Sequence, residues 1–246
     1  MALVYAFIYL PIAMLVVFSF NKSKLNVVWT GFTFEWYGKL FQNDEVMGAL
    51  MNTLEVAIMT TIISTVIGTI AAVGMYRYDF RGKKTLDNLL YIPVVIPEIV
   101  LGISLLMLFN HIKFPLGILT LVIAHSTYCI PFVVITVKSR LAGSDKHQEE
   151  AAMDLGASQF KTFIYVTLPG ILPGVVSGAL LSFTLSMDDV ITSFFVTGPG
   201  STTLPLQIFS MVKFGVTPEI NALSTLMLVI TLGLALFSEK IKKNEN

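Results

Sequence analysis

The sequence predicts an all-α membrane protein: a single domain over 1–246 with six transmembrane helices, and a short cytoplasmic helix at 143–157 between the fourth and fifth. Three observations predict it. Hydrophobic residues make up 54% of the 246 and charged residues only 13%, against about 25% charged in soluble domains, and the mean hydropathy is +0.77. The apolar residues gather into runs of the roughly 20 needed to cross a bilayer. One stretch, EEAAMDLGA at 149–157, breaks that pattern with acids, alanines and a glycine.

The first run, from about Ala2 to Phe20, has no positively charged segment before it and no small-residue cleavage site after it, so it reads as a retained span. The second covers 47–76 and carries Asn52 and Glu55 in its outer turn. The third, 89–109, contains Pro93, Pro97 and Glu98. The fourth, 116–137, holds His125 and Pro131. The fifth, 171–196, holds Asp188 and Asp189. The sixth, 220–237, is the shortest. Between the first two spans, Trp29, Trp36 and Tyr37 suit a short helix anchored at the interface. Leu204 to Phe214 suits another, lying along the outer surface.

Lys and Arg placement orients the chain. With both termini in the cytoplasm, eleven fall inside: Arg77, Arg81, Lys83, Lys84, Lys138, Arg140, Lys146, Lys161, Lys240, Lys242 and Lys243. Five fall outside: Lys22, Lys24, Lys39, Lys113 and Lys213. The overall balance of 16 basic and 16 acidic residues points to no charged partner such as nucleic acid. The single cysteine, Cys129, excludes an intrachain disulfide and a multi-cysteine metal site, and its apolar surroundings predict a buried thiol.

The stretch from Gly143 to Gly156 fits a helix, with Ser144 as N-cap and Gly156 as the residue that ends it in a left-handed turn. Glu149, Glu150, Ala151 and Ala152 favour the helix, and the alanines leave a smooth surface for close approach. Composition leaves two readings open: an ordinary inner loop, or a rigid knob for docking another protein.

The residues Glu150-Ala151-Ala152, then Gly156, then Val166-Thr167-Leu168-Pro169 match a spaced signature: EAA, three residues, G, nine residues, I, any residue, LP. This resembles the permease subunits of ATP-binding cassette importers, and the one departure is Val166 in place of isoleucine. The resemblance implies that the cytoplasmic helix couples the spans to an ATPase, with Glu149, Glu150, Ala151, Ala152, Gly156, Leu168 and Pro169 at or beside the docking surface. The chain has no GxxxxGKS/T phosphate loop. The resemblance therefore makes it a non-catalytic subunit without a cofactor of its own, with ATP and Mg in partner ATPase subunits.

Charged groups inside a span are costly and mark function by default. Glu98, Asp188 and Asp189 are all acidic, with His125 the only basic candidate beside them. They either line a path selective for cations or support kinks; Pro97 beside Glu98 keeps the second use open at that position. Along a helix, adjacent residues point about 100° apart, so Asp188 and Asp189 cannot face one partner equally. An anionic path attracts ammonium groups, and Tyr91, Tyr128, Phe183 and Phe194 are candidates for methylene and cation–π contacts along it.

The stretches SFNKSK, TFEWY, NTLEVA, RYDFRGKK, IPVVIPEIVLGISLL and SFTLSMDDVITSFF resemble the polyamine-importing branch of the same family over nearly the whole chain. The resemblance departs at the amino end, where a charged leader is expected. It implies a bacterial inner-membrane complex with a homologous six-span permease, two ATPase copies, a periplasmic polyamine-binding protein and surrounding lipid. The competing readings are a permease for another organic cation, an ion-coupled secondary transporter, and a scaffold that uses the same helix only for recruitment.

Overall fold

A computed structural model describes residues 2–23, 28–143, 146–213 and 217–243. The chain divides into two compact units, one of 1–50 with 207–246 and one of 51–206.

The first unit contains α1 (Ala2–Phe18) and α2 (Glu35–Gln42), both packed against α11 (Pro218–Lys243). The short helix expected after the first span is α2. Trp36 is buried rather than spread on a surface, because its indole N–H finds a partner, donating to the Asn21 carbonyl at 2.7 Å. Phe20, Phe32, Phe34 and Tyr37 stack around this turn. Asn43 ends α2, accepts from the Val46 N–H at 3.3 Å and donates to Glu219 at 3.0 Å.

The second unit is built on α3 (Asp44–Arg77) from residue 51 onward, α6 (Ile118–Ala142) and α8 (Gln159–Asp188). Among the described residues these three are long and apolar enough to cross a membrane, and their number rises to four if α4 (Lys83–Val95) and α5 (Glu98–His111) count as one bent span. Two further apolar segments, Leu3–Phe18 and Pro218–Ile230, are shorter. Exposed apolar residues recur every fourth position along α3 (Ile58, Ile62, Val66 and Ile70) and α8 (Leu172, Val176 and Leu180), the surface expected of helices facing lipid.

α6 is the core of the unit. Val133, Val134, Val137 and Leu141 pack with Ala72, Val73, Met75 and Ile171. Leu121, Val122 and Ala124 pack with Val56, Leu105, Phe109 and Val196. Val133 lies between two glycines: a Cβ on Gly68 of α3 would fall 2.7 Å from its side chain, and one on Gly178 of α8 would fall 3.2 Å from its Cα. Small residues let membrane helices approach in this way. Cys129 is buried as expected, its thiol 3.6 Å from the Ser182 carbonyl.

Two expected spans are not continuous. The third is α4 and α5, bent by 107°. Ile96 is extended (φ −66°, ψ 135°) and Pro97 follows at ψ 133°; proline disfavours helix at the residue before it and offers no N–H. The fifth ends at Asp188, where Asp189 turns extended, before α9 (Ile191–Val196). Pro169, by contrast, does not interrupt α8. A π turn at Phe163–Thr167, closed by Leu168 N–H to the Phe163 carbonyl, precedes it, and Pro169 stands in the first turn of the α-helical part, where a proline fits.

The expected outer helix is α10 (Leu204–Lys213); Phe214 lies outside the described residues. Its entry is held from α3. The Asn52 amide donates to the carbonyls of Gly200 and Thr202, each at 3.0 Å, and Thr53 Oγ1 accepts from the Leu204 N–H at 2.7 Å.

Candidate functional site

The two chain breaks line one cleft of about 550 Å³. Pro93, Ile96, Pro97 and Glu98 come from the α4–α5 break, Tyr128 and Phe132 from α6, and Asp188, Asp189 and Val190 from the α8–α9 break. All three acids singled out in the sequence therefore meet here, and no Lys or Arg is among the described lining residues. Broken helices supply free backbone termini and polar side chains where irregular backbone is tolerated, at a cavity.

The acids differ in setting. Glu98 opens α5 and is exposed, its negative charge at the favourable end of the helix dipole. Asp188 closes α8 and is also exposed. Asp189, one residue on, has a side chain only 5% exposed. It caps α9, accepting from the Ser193 N–H at 2.7 Å and the Thr192 N–H at 3.3 Å. His125, fully buried, sets Nε2 3.3 Å from the same carboxylate and 3.1 Å from Ser193 Oγ, with Nδ1 2.7 Å from Ser186 Oγ. This network fixes the bend between α8 and α9.

Of the four aromatics named from the sequence, Tyr128 lines the cleft. Tyr91 lies beside Asp87 and Lys138, an ion pair of 2.6 Å. Phe194 meets Phe195 edge-on, and Phe183 is half-buried on α8 outside the lining. Phe132 was missed; its signal was the four-residue spacing from Tyr128 on one helix face.

The polar stretch forms α7 (Lys146–Asp154); Ser144, expected as its cap, lies outside the described residues. Gly156 ends it at φ +86°. Gly156 N–H bonds to Met153 O at 2.9 Å and Ala157 N–H to Ala152 O at 3.1 Å, the paired bonds of a Schellman stop. Glu150, Ala151, Met153 and Leu155 are exposed, Leu155 at 90%. Glu149 instead turns inward to Arg77, at 2.9 Å, and to Thr167, whose hydroxyl donates to it at 2.5 Å. Leu168 is half-buried and Pro169 exposed at the head of the α8 membrane segment.

Membrane-spanning helices broken at carboxylates around a cleft, with a polar helix set between two of them, define a membrane transport permease. The chain belongs to the binding-protein-dependent transport system inner membrane component family, whose model matches residues 64–242. It is thus a non-catalytic, multi-span inner-membrane component of such a system. It is 46% identical over 245 residues to the spermidine/putrescine transport system permease protein PotC of Escherichia coli, covering 100% of this chain and 93% of that one. It is 46% identical over 231 residues to the putrescine transport system permease protein PotI of the same organism, covering 91% and 82%. A bacterial ABC transporter involved in the import of the acidic polysaccharide alginate shares the fold at a TM-score of 0.79, with 14% identity over 97% of this chain and 92% of that one.

Proposed function

We propose that this chain is the permease subunit of an ATP-driven importer of polyamines, spermidine or putrescine, and forms part of their path across the membrane. The observation that carries the substrate is the cleft, lined by Glu98, Asp188 and Asp189 with no described Lys or Arg. A carboxylate in a partly desolvated cleft attracts ammonium groups more strongly than in water, and Tyr128 and Phe132 offer faces to methylenes and cations. The names of the relatives at 46% identity agree with that chemistry.

In this reading the chain crosses the membrane six times with both termini in the cytoplasm, as the eleven-to-five distribution of basic residues favours. α7 is the coupling helix, docking on an ATPase through Glu150, Ala151, Ala152 and the exposed Leu155. The rest of the complex is a homologous six-span permease, two ATPase subunits that hold ATP and Mg, and a periplasmic polyamine-binding protein. Among the described residues, no group of three or more His, Cys, Asp or Glu is placed to hold a metal. The test is uptake of labelled spermidine and putrescine by cells expressing the chain with these partners, each omitted in turn. Uptake that persists without an ATPase would refute the reading in favour of ion coupling.

A further inference from the structure

We propose that Glu149 is a positioning residue that braces the coupling helix to the membrane helices, rather than a docking residue. The proposal rests on the importer reading for its consequence and on geometry for its substance. Three elements meet at one point. Arg77 is the last residue of α3, Glu149 lies in the first turn of α7, and Thr167 ends the π turn of α8. The Arg77 guanidinium lies 2.9 Å from the Glu149 carboxylate and donates to Thr167 Oγ1 at 2.6 Å, while that hydroxyl donates to Glu149 at 2.5 Å. Each contact thus supports the other two. Arg77 and Glu149 are about four-fifths buried, with side chains 20% and 22% exposed, which spares the pair much of the screening that weakens surface ion pairs.

The placement gives the brace its use. α7 is joined to α8 through the tight turn at Gly156. Chain continuity joins its other end to α6 through residues 143–145, but neither connection ties it to α3. Glu149 lies seven residues before the Gly156 turn, about 10 Å along the axis, and makes that tie through Arg77. With it, a push on the exposed face of α7 is carried to α3 as well as to α8. Neither Glu149 nor Thr167 is fixed by the EAA-to-LP spacing, which begins at Glu150 and leaves position 167 open. Glu150, one residue along, is exposed and among the described residues pairs locally, with His147 at 3.2 Å. The two adjacent glutamates therefore divide the work: Glu150 outward to a partner, Glu149 inward to the bundle.

The experiment compares wild type, Glu149→Gln, Arg77→Gln and the double variant in the purified complex. ATPase subunits should stay bound and basal ATP turnover should persist. Polyamine-stimulated turnover should fall about tenfold in each single variant, within the usual range of coupling between sites, and the double should be no worse than either single. Full stimulation in a single variant, or losses that multiply in the double, overturns the brace. Thr167→Val keeps both charges and serves where a charge variant fails to accumulate: a loss of stimulation is expected, and none overturns the proposal. A wild-type complex that polyamine does not stimulate counts against the importer reading instead. Limited proteolysis of the 143–157 loop then reads the brace alone, with faster cleavage expected in Glu149→Gln and equal rates overturning it.

Discussion

Asparagine at position 188 and asparagine at position 189 remove the same charge from neighbouring residues, yet they should fail differently. Asp188 is exposed in the cleft, with its carboxylate open to a ligand. A hydrogen bond to a charged group contributes about 1.5–3 kcal/mol, and exposure to water discounts this one to about 1–2 kcal/mol. Asp188→Asn should therefore lower uptake at subsaturating polyamine by roughly five- to thirtyfold, since 1.4 kcal/mol is a factor of ten. Membrane abundance should not change. Asp189 spends its carboxylate on the Ser193 and Thr192 N–H groups and on His125. Asp189→Asn keeps one acceptor but turns an NH2 toward a donor, leaving a buried group unsatisfied at about 1–3 kcal/mol. Its first effect should be lower abundance and a lower unfolding temperature. The assay is labelled uptake normalised to membrane protein, beside thermal unfolding in detergent. Normal uptake in a well-expressed Asp188→Asn variant would refute the cation path at this residue. Normal stability in Asp189→Asn would refute its role as the cap of the bend.

Three further outcomes follow from positions already described. Gly156→Val, at φ +86°, should strain the stop of α7 by at least about 1–2 kcal/mol and separate ATP turnover from uptake; co-purification of the ATPase and stimulated turnover measure it. Gly68→Ala sets a methyl 2.7 Å from the Val133 side chain, an overpacking of about 1–3 kcal/mol that should appear as a lower unfolding temperature. With Cys129 replaced, Gln148→Cys should react with an impermeant thiol probe only from the cytoplasmic side and Phe34→Cys only from outside; the reverse pattern would overturn the orientation.

What the sequence made legible is what depends on length and local chemistry. The apolar run at 47–76 became α3, and the glycine after EEAAMD became a left-handed stop. The breaks at Pro97 and Asp189 were only half legible. Proline marks where a helix falters, but it does not give the 107° bend between α4 and α5. The finer division of labour among acids was not legible at all. Asp188 and Asp189 are chemically alike, and so are Glu149 and Glu150. Which member turns inward depends on His125 in one case and Arg77 in the other, each far away in the chain. That Tyr91, Phe183 and Phe194 lie outside the lining of this cleft was not legible for a related reason: in an apolar chain, every helix face offers aromatics, and only the packed neighbours decide which look into a cleft.

The hold of Asn52 on the loop before α10 has a consequence for sequence drift. Its amide grips two main-chain carbonyls, those of Gly200 and Thr202, and main-chain carbonyls are the same whatever side chains they carry. The loop is therefore recognised by its shape and not by its spelling. Positions 199 and 202 are free to diverge as long as the backbone keeps its path, whereas the left-handed Gly200, the buried Thr203 and Ser201, whose hydroxyl accepts from the Gly198 N–H at 2.8 Å, are not. Position 52 has no such licence: aspartate would present oxygen to oxygen, and a hydrophobic residue would present nothing. Variation in this part of the protein should thus be lopsided, with two permissive loop positions latched by an intolerant helix residue well over a hundred positions earlier in the chain.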